Sequence, residues 1–363
     1  MSTQLDILAL EPFYGGIRRS MLETVVRISR HRWTLLKLPP RRIERRLTTA
    51  ANWFSEQLSR HWVGRLDVVF TSEAMNLASL LRLVPALAGH PSVVYFHDNQ
   101  LPDLSTPEEK ETDLVNLNTA SAASEIWFNS HFHHQTFLIE AAALVDRHPE
   151  LSSRNPMAAI KAKSRLMPPP IDWGMVDDLR AGGQVKRNPR AVFFETRDAN
   201  VGLLNEAFAI LRQKGIDATA VTVGPVNDLD PAIPRHTISE YDEPGQVRGM
   251  LGSAVFVSAK PDAASDYLAV RALMAGCRPV LPDGGVYPEL LPRALHPTCL
   301  YYVDGEGLAE SLEDVLNPID AGAPPWHYDG FRQQFRAFDA IPACRAFDER
   351  LEQVVAAAGK GKA

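Results

Sequence analysis

The sequence lacks the features that mark several broad classes of protein. It has only three cysteines, Cys277, Cys299 and Cys344, and their wide spacing forms neither a disulfide framework nor a zinc pattern. No stretch approaches the ~20 apolar residues of a transmembrane helix. The first residues, MSTQLDILALEPF, lack the basic segment and apolar run of a secretory signal peptide. We therefore expect a protein of the reducing cytoplasm, without a membrane partner.

Positive charge is scarce overall but unevenly distributed. The net charge of −6 argues against nucleic acid as a partner, yet residues 1–65 hold 12 Lys and Arg against 5 Asp and Glu. The basic residues concentrate in RISRHRW (27–33) and PPRRIERR (39–46). Such a patch can steer a phosphate-rich partner. Alternatively, Arg41, Arg42, Arg45 and Arg46 form the solvated face of one helix.

The order of apolar segments predicts an α/β fold. The length of 363 residues favours two domains, and short β-branched runs alternate with helical patterns in both halves. This alternation is typical of parallel sheets covered by helices on both faces. The predicted strands lie at 6–10, 34–38, 67–70, 92–96, 125–128, 165–167, 191–194, 218–223, 254–258, 279–281 and 299–303.

Prolines in MPPPIDW (167–173) indicate a boundary between the two domains. We predict two Rossmann-like domains, residues 1–172 and 173–325, facing a cleft. Residues 326–363 are predicted to form a helical tail that packs back toward the first domain.

Polar loops follow four of the predicted strands in the first domain. They are EPFYGG (11–16), TSEAMN (71–76), HDNQ (97–100) and NSHF (129–132). Because ligands bind at the carboxyl ends of strands in such sheets, these loops predict a site at that edge. Gly15 and Gly16 precede Arg18 and Arg19, which suits an anion at a helix start. A tight turn with solvated arginines is the alternative.

These loops, together with FTSEAMNLASL (70–80), YFHDNQ (95–100), WFNSHF (127–132) and PPPID (168–172), resemble a known family in their order and spacing. It is the family of glycosyltransferases that add mannose to queuosine in tRNA, which is itself similar to the GT-B class of retaining, nucleotide-sugar-dependent glycosyltransferases. The resemblance covers residues 5–172 and resumes at AGCRPVLPDGGVYPELLP (275–292). It implies transfer of a hexose, with retention and without a metal or other cofactor. The implied donor is a nucleoside-diphosphate sugar such as GDP-mannose, and the implied acceptor is queuosine in tRNA.

The resemblance implies roles for residues of the first domain. His97, Asp98 and Asn99 are the predicted catalytic residues. His97 would contact the sugar or accept a proton, and a structural hydrogen bond is its alternative role. Asp98 and Asn99 would orient the acceptor hydroxyl. Glu73 is either an acceptor contact or a helix N-terminal charge. The predicted acceptor-binding residues are Arg18, Arg19, Arg45, Arg46, Glu73, Asn76 and Gln100.

The second domain departs from the family pattern where the donor is bound. The resemblance places two glutamates at positions that here hold Ala263 and Arg271. FFETRDANVG (193–202) offers only Arg197 where the family has an Arg and a Lys. We therefore predict a rebuilt donor pocket, for another nucleotide sugar or for loss of activity. The predicted donor-binding residues are Gly15, Gly16, Arg197, Lys260, Asp262, Arg271, Tyr287 and Glu289.

Two further interpretations stay open beside a tRNA-queuosine transferase. The protein could bind tRNA or a glycan without transfer, or it could transfer to a small-molecule acceptor. The segment HFHH (131–134) suggests a metal site, but His131 and His134 lack a third ligand in a recognised pattern. We interpret both as ordinary helix residues, expect no metal, and predict that Ser130 caps their helix.

Overall fold

The computed structural model describes residues 4–61, 64–102, 110–148, 151, 155–183, 185–320 and 328–360. The chain divides into two compact units. The first unit comprises Met1–Ile171 and Ala337–Ala363, and the second comprises Asp172–Arg336. Each unit contains a six-stranded sheet in which all strand pairs are parallel. The predicted two-domain α/β fold class is thereby confirmed.

The sheet of the first unit has the order β2-β1-β3-β4-β5-β6. Its strands are β1 (Asp6–Glu11), β2 (Arg32–Lys37), β3 (Val68–Ser72), β4 (Ser92–Phe96), β5 (Glu125–Phe128) and β6 (Ser164–Leu166). The chain runs from β1 to β2 on one side and then returns to β3 on the other. The strand order therefore reverses between β1 and β3, which is where ligands bind in such sheets.

Helices cover both faces of this sheet. They are α1 (Gly16–Ile28), α2 (Ile43–His61), α3 (Leu77–Leu83), α4 (Pro85–Ala88), α5 (Val115–Ala122), α6 (His131–Arg147) and α7 (Met157–Ala162). Neighbouring strand residues point to opposite faces, so Tyr95 and Phe96 lie in two different hydrophobic layers. Because α2 begins at Ile43, Arg41 and Arg42 precede it. The prediction that all four arginines share one helix face was wrong.

The sheet of the second unit has the order β12-β11-β10-β7-β8-β9. Its strands are β7 (Asn188–Glu195), β8 (Thr219–Val223), β9 (Arg235–Ile238), β10 (Ser253–Val257), β11 (Arg278–Pro282) and β12 (Leu300–Tyr301). Its order reverses between β7 and β10. The sequence did not predict β9, which ends the sheet and has three exposed residues out of four.

The helices of the second unit include several of a single turn. They are α8 (Gly174–Ala181), α9 (Val201–Gln213), α10 (Glu243–Gly252), α11 (Tyr267–Met274), α12 (Tyr287–Leu290), α13 (His296–Cys299), α14 (Gly305–Asp320) and α15 (Phe331–Gln334). Val192, Phe194, Val255 and Val257 of the central strands form the core with the apolar face of α14.

The last helix, α16 (Ala340–Lys360), packs on the first unit. Phe347 is fully buried, with its ring centroid 4.8 Å from that of Trp127. The tail was predicted to start at Trp326, which lies outside the described residues. Phe331 to Arg336 group instead with the second unit, where Arg332 pairs with Asp177. No helix among the described residues is long and apolar enough to cross a membrane.

Candidate active site

The carboxyl ends of β1 and β3 bring two buried carboxylates together in the first unit. Glu11 ends β1 and is 2% exposed. One of its oxygens accepts hydrogen bonds from the Ser72 hydroxyl at 3.0 Å and from the Phe13 N–H at 2.8 Å. Burial raises the pKa of Glu11 to about 7, although the nearby Arg18 guanidinium opposes the shift. Near neutral pH this carboxyl is therefore partly protonated.

The second carboxylate, Glu73, forms a buried ion pair with Arg18. The Arg18 guanidinium donates from Nη1 to Glu73 Oε2 at 2.8 Å, and from Nη2 to Oε1. Arg18 is 6% exposed and Glu73 is fully buried. Glu73 therefore does not act as a helix N-terminal charge. Arg18, predicted to bind the acceptor, is already engaged inside the protein, so its direct contribution to an acceptor contact is not supported.

His97 lies immediately after β4, beside this ion pair. Its backbone N–H donates to Glu73 Oε2 at 3.2 Å, and its ring packs 4.6 Å from that of Tyr95. The residue is 4% exposed, and neither ring nitrogen has a partner within the described part of the chain. Burial, together with the charges of Arg18 and His133, holds the pKa of His97 well below its ordinary value. The ring is therefore neutral at physiological pH, and its low basicity disfavours the predicted proton-accepting role and leaves the sugar contact.

A network of amide side chains supports the loop after His97. The Asn99 carboxamide oxygen lies 2.8 Å from Nε2 of the buried His133, whose Nδ1 lies 2.8 Å from Asn129 Oδ1. Asn129 in turn donates to the His97 carbonyl at 2.9 Å. Burial lowers the pKa of His133 to about 3, so this ring also stays neutral. A neutral imidazole has one N–H, so His133 donates to only one of these two oxygens, and Asn129 links the ring to the backbone of His97.

Gln100 and Asp98 complete this loop in different ways. The Gln100 N–H donates to Oδ1 of the buried Asn116 at 2.9 Å, and Asn116 donates to the Glu73 carbonyl at 3.0 Å. Asp98 is exposed, and its carboxylate accepts from the Asn99 N–H at 2.9 Å. The sequence indicated Asp98, Asn99 and Gln100 and the loops that begin at Glu11 and Asn129, but it gave these last two residues no role and missed Asn116 and His133. For Glu11 a signal was present, since it is a charged residue that ends an apolar strand.

Gly15 and Gly16 are required for different physical reasons. A Cβ at Gly15 would lie 2.5 Å from Pro40 Cγ, and Gly16 adopts a φ of +52°. The Gly15 N–H already donates to the Phe13 carbonyl at 2.9 Å, so this hydrogen bond competes with any contact of Gly15 with a diphosphate. Gly16 is the first residue of α1, where N–H groups have no intrahelical acceptor. Gly16 keeps the predicted role.

The other predicted acceptor residues have local roles or lie at the surface. Asn76 caps α3 by accepting from the Ser79 N–H at 3.0 Å. Arg19 is exposed and pairs with Glu23 at 2.8 Å. Arg45 is exposed in the first turn of α2, and Arg46 donates to the Pro39 carbonyl at 2.9 Å. Ser130 accepts from the His133 N–H at 2.9 Å, which confirms its prediction as the cap of α6.

In the second unit, an ion pair lies at the carboxyl ends of the two strands between which the strand order reverses. Glu195 ends β7, Lys260 follows the neighbouring β10, and Lys260 Nζ lies 2.5 Å from Glu195 Oε2. Burial lowers the pKa of Lys260, but Asp266, Glu195 and Asp198 outweigh burial and raise it. Lys260 therefore stays positively charged beside these three carboxylates.

The other two predicted donor-binding cations are also paired with acids of the same unit. Arg197 contacts the carboxylate of Glu240, and Arg271 contacts that of Glu243 at 3.0 Å. Asp262 lies exposed two residues after Lys260. The predicted cations are thus present at this edge, but none of the three is free of a carboxylate.

Tyr287 has an internal role instead of an open position for a nucleotide. It is fully buried, and its hydroxyl donates to Asp266 at 2.9 Å and lies 2.5 Å from Ser258 Oγ. Asp266 caps α11 through the Ala269 N–H at 2.8 Å. Glu289 is exposed on α12. The contact of Tyr287 with a nucleotide, as predicted, is not supported by this burial.

The glycines of PDGG (282–285) approach the chain after β10. A Cβ at Gly284 would lie 3.0 Å from the Pro261 carbonyl oxygen, and one at Gly285 would lie 2.8 Å from it. The Val286 N–H also donates to the Ala263 carbonyl at 3.0 Å. The backbone next to Lys260 is therefore held in place.

No group of three or more His, Cys, Asp or Glu side chains that could hold a metal ion occurs in the described residues. Residues 6–171 match the family model described as tRNA-queuosine alpha-mannosyltransferase N-terminal. The first unit is therefore similar to the N-terminal part of that family. The match covers the region in which Glu11, Glu73 and His97 lie. The sequence resemblance to tRNA-queuosine mannosyltransferases is therefore confirmed.

A curated relative has the same name as the family described by this model. The tRNA-queuosine alpha-mannosyltransferase of Drosophila melanogaster is 23% identical over 314 residues. The alignment covers 79% of this chain and 82% of the relative. The similarity therefore extends beyond the N-terminal unit into the second one.

Two solved structures are similar to this chain over nearly its whole length. HepE of Anabaena in complex with UDP-glucose matches with a TM-score of 0.63 and 14% identity, covering 96% of this chain and all of that one. Sucrose-phosphate synthase of Thermosynechococcus elongatus matches with a TM-score of 0.66 and 13% identity, covering 97% of this chain and all of that one. These likenesses confirm the GT-B fold class of the chain.

Proposed function

We propose that the protein transfers a hexose, with retention, from a nucleoside-diphosphate sugar to queuosine in tRNA. The match of the first unit to the family model and the GT-B fold support glycosyl transfer as the general activity. The observation that carries the proposal is His97, whose buried ring nitrogens have no partner in the described residues. A buried polar group of this kind is costly unless a ligand completes its hydrogen bonds.

His97 suits a sugar hydroxyl as its ligand. A neutral imidazole has one N–H donor and one acceptor nitrogen, which match the two roles of a hydroxyl. The bond from the His97 N–H to Glu73 and the bond from Asn129 to its carbonyl fix the residue before the ligand arrives. Such preorganisation lowers the entropic penalty of orienting the sugar. His97 therefore acts as a sugar-positioning group rather than a proton acceptor.

The remaining roles follow from position. Retaining transfer passes through an oxocarbenium-like state, while negative charge develops on the departing diphosphate. Gly16 at the start of α1 offers an N–H to an anionic group. Asp98 is exposed beside Asn99 and can accept a hydrogen bond from the attacking hydroxyl. Arg197 and Lys260 are the cations that would offset charge on the diphosphate.

The surface of the first unit supports a phosphate-rich acceptor. Arg41, Arg42 and Arg45 are exposed at the start of α2. Arginines in one short segment attract the phosphate backbone of an RNA. A small-molecule acceptor would need no such segment, so this feature favours tRNA.

A second candidate function is binding without transfer. It is favoured by the donor side, where Lys260, Arg197 and Arg271 each contact a carboxylate. Ala263 and Arg271 also occupy the positions of the two glutamates expected from the family resemblance. A tRNA-binding or glycan-binding protein could retain the first unit and lose the donor chemistry.

Nucleoside mass spectrometry of tRNA tests the transferase proposal. Deletion of the gene in a host that makes queuosine should remove a hexosyl-queuosine peak, and the wild-type gene should restore it. A His97→Ala variant should not restore the peak. The matched control, His90→Ala, changes a histidine that precedes the opposite end of β4 and should restore it fully. An unchanged nucleoside profile on deletion would contradict the proposed acceptor.

A further inference from the structure

The Glu195–Lys260 pair lies where a donor nucleotide is expected in the second unit. β7 and β10 are neighbours, and the chain leaves them toward opposite sides of the sheet. Glu195 is the last residue of β7, and Lys260 is three residues beyond the end of β10. Ligands of doubly wound sheets bind outside the carboxyl ends of the two strands at such a reversal. The ion pair therefore spans the position of a ligand.

The pair is accessible and its backbone is fixed. The side chains of Lys260 and Glu195 are 19% and 26% exposed. The chain after Lys260 is held by the Val286 N–H and by the close approach of Gly284 and Gly285 to Pro261. Lys260 can therefore change partner by side-chain rotation, without a movement of the strand ends. A diphosphate at this edge would meet Lys260 only by replacing Glu195.

We propose that Glu195 competes with the donor diphosphate for Lys260 and thereby sets the affinity of the second unit for nucleotides. This inference rests on the proposed transferase function. In the free protein the Glu195 carboxylate pairs with the Lys260 ammonium. The more highly charged diphosphate displaces this carboxylate when it binds. A carboxylate left beside the bound diphosphate adds like-charge repulsion, which favours departure of the nucleoside diphosphate after transfer. Glu195 thus lowers the affinity of this position for the diphosphate.

Calorimetry with GDP and UDP on the full-length protein tests this competition. The Glu195→Gln variant keeps the size of the side chain and removes its charge. We expect it to bind one of the two nucleotides about tenfold more tightly than the wild type. The double variant Glu195→Gln with Lys260→Met should lose this gain, because the cation in question is absent.

A matched control is available in the same unit. Lys214 and Glu313 form a second Lys–Glu pair, also at 2.5 Å, between α9 and α14. Glu313→Gln removes one negative charge from an equivalent pair away from the strand reversal. This control should leave nucleotide affinity unchanged. If Glu195→Gln and Glu313→Gln raise the affinity equally, the net charge of the protein explains the increase and the inference is overturned.

The outcomes separate the inference from the proposed function. Weaker or equal nucleotide binding by Glu195→Gln overturns the inference, since it would make Glu195 a residue that positions Lys260 or has no influence. If the wild type binds and transfers in that case, the proposed function stands. If neither protein binds GDP or UDP at millimolar concentration, both the inference and the proposed function fail. Binding by the variant alone supports the inference.

Discussion

Arg18 and Glu73 face each other through two hydrogen bonds between a buried guanidinium and a buried carboxylate. They come from α1 and from the loop after β3, which are 55 residues apart in the chain. The pair joins the two strands at the reversal of the first sheet. It also places Glu73 Oε2 where it receives the His97 N–H.

Replacement of Arg18 by Met should strongly destabilise the first unit. The substitution leaves the Glu73 carboxylate buried without its partner, which costs about 3–5 kcal/mol of unfolding free energy. Urea unfolding followed by circular dichroism measures the loss. Arg19→Met, which breaks the exposed pair with Glu23, should cost less than about 1 kcal/mol. Equal losses in the two variants would contradict the importance given to burial.

Glu11 should make the stability of the protein depend on pH. Its pKa of about 7 in the folded protein exceeds the ordinary value of 4.5. Between these two values the unfolded chain has lost the proton while the folded protein keeps it, so stability falls as the pH rises from 4.5 to 7. The loss approaches about 3 kcal/mol. Glu11→Gln should abolish this slope in urea unfolding curves from pH 5 to 8, and a slope unchanged by the substitution would refute the assignment.

His97 should be needed for activity without giving it a pH dependence near neutrality. Because burial, Arg18 and His133 hold the pKa of His97 well below 6.5, its ring is neutral from pH 6 to 8. His97→Ala should lower kcat/KM by about 100-fold with little change in the unfolding midpoint. We expect the wild-type pH–rate profile to show no step near pH 6.5 that disappears in the His97→Ala variant. Such a step would show that His97 exchanges a proton during the reaction.

Gly15→Ala should destabilise the loop between β1 and α1. The new Cβ would lie 2.5 Å from Pro40 Cγ, and relief of such a clash costs about 1–3 kcal/mol. Thermal unfolding measures the change. Gly359→Ala provides the control, because a Cβ there meets nothing within 4 Å. The control should be neutral or slightly stabilising, since alanine favours a helix more than glycine.

The arginines at the start of α2 should contribute to RNA affinity in a salt-dependent way. Replacement of Arg41, Arg42 and Arg45 by Ala should reduce the slope of log affinity against log salt concentration by about 2 to 3. Filter binding of tRNA at several salt concentrations measures the slope. The triple variant of Arg212, Arg235 and Arg248 in the second unit removes the same charge from exposed positions. Equal effects of the two triple variants would indicate a general charge effect.

The strands were predictable where a short run of buried apolar residues lies between two turns. β4 and β5 have the predicted bounds, because SVVYF and EIWF are short apolar runs between polar loops. β9 was missed because RHTI reads as polar, and its formation depends on pairing with β8. α5 buries Asn116 and Thr119, which hydrogen-bond to the Glu73 and Met75 carbonyls. In both β9 and α5, distant segments create the environment of the residues.

The site was predictable as a set of loops but not as a set of partners. Local spacing placed Glu73, His97 and Asn99 at one sheet edge. It did not show that Arg18 would form an ion pair with Glu73, or that the His133 ring would contact the Asn99 side chain. The cations of the second unit were likewise foreseen without their carboxylates. Ion pairs between residues far apart in sequence depend on the folded arrangement, which no local pattern contains.

Helix α16 has a consequence for how the chain is made. Its Phe347 and Leu351 complete the hydrophobic layer that includes Tyr95 and Trp127 of the first unit. During synthesis, the ribosome must therefore translate the entire second unit before this layer can close. Until α16 has been translated, the nascent first unit exposes an apolar surface that attracts chaperones. A premature stop after residue 336 would leave that surface permanently open.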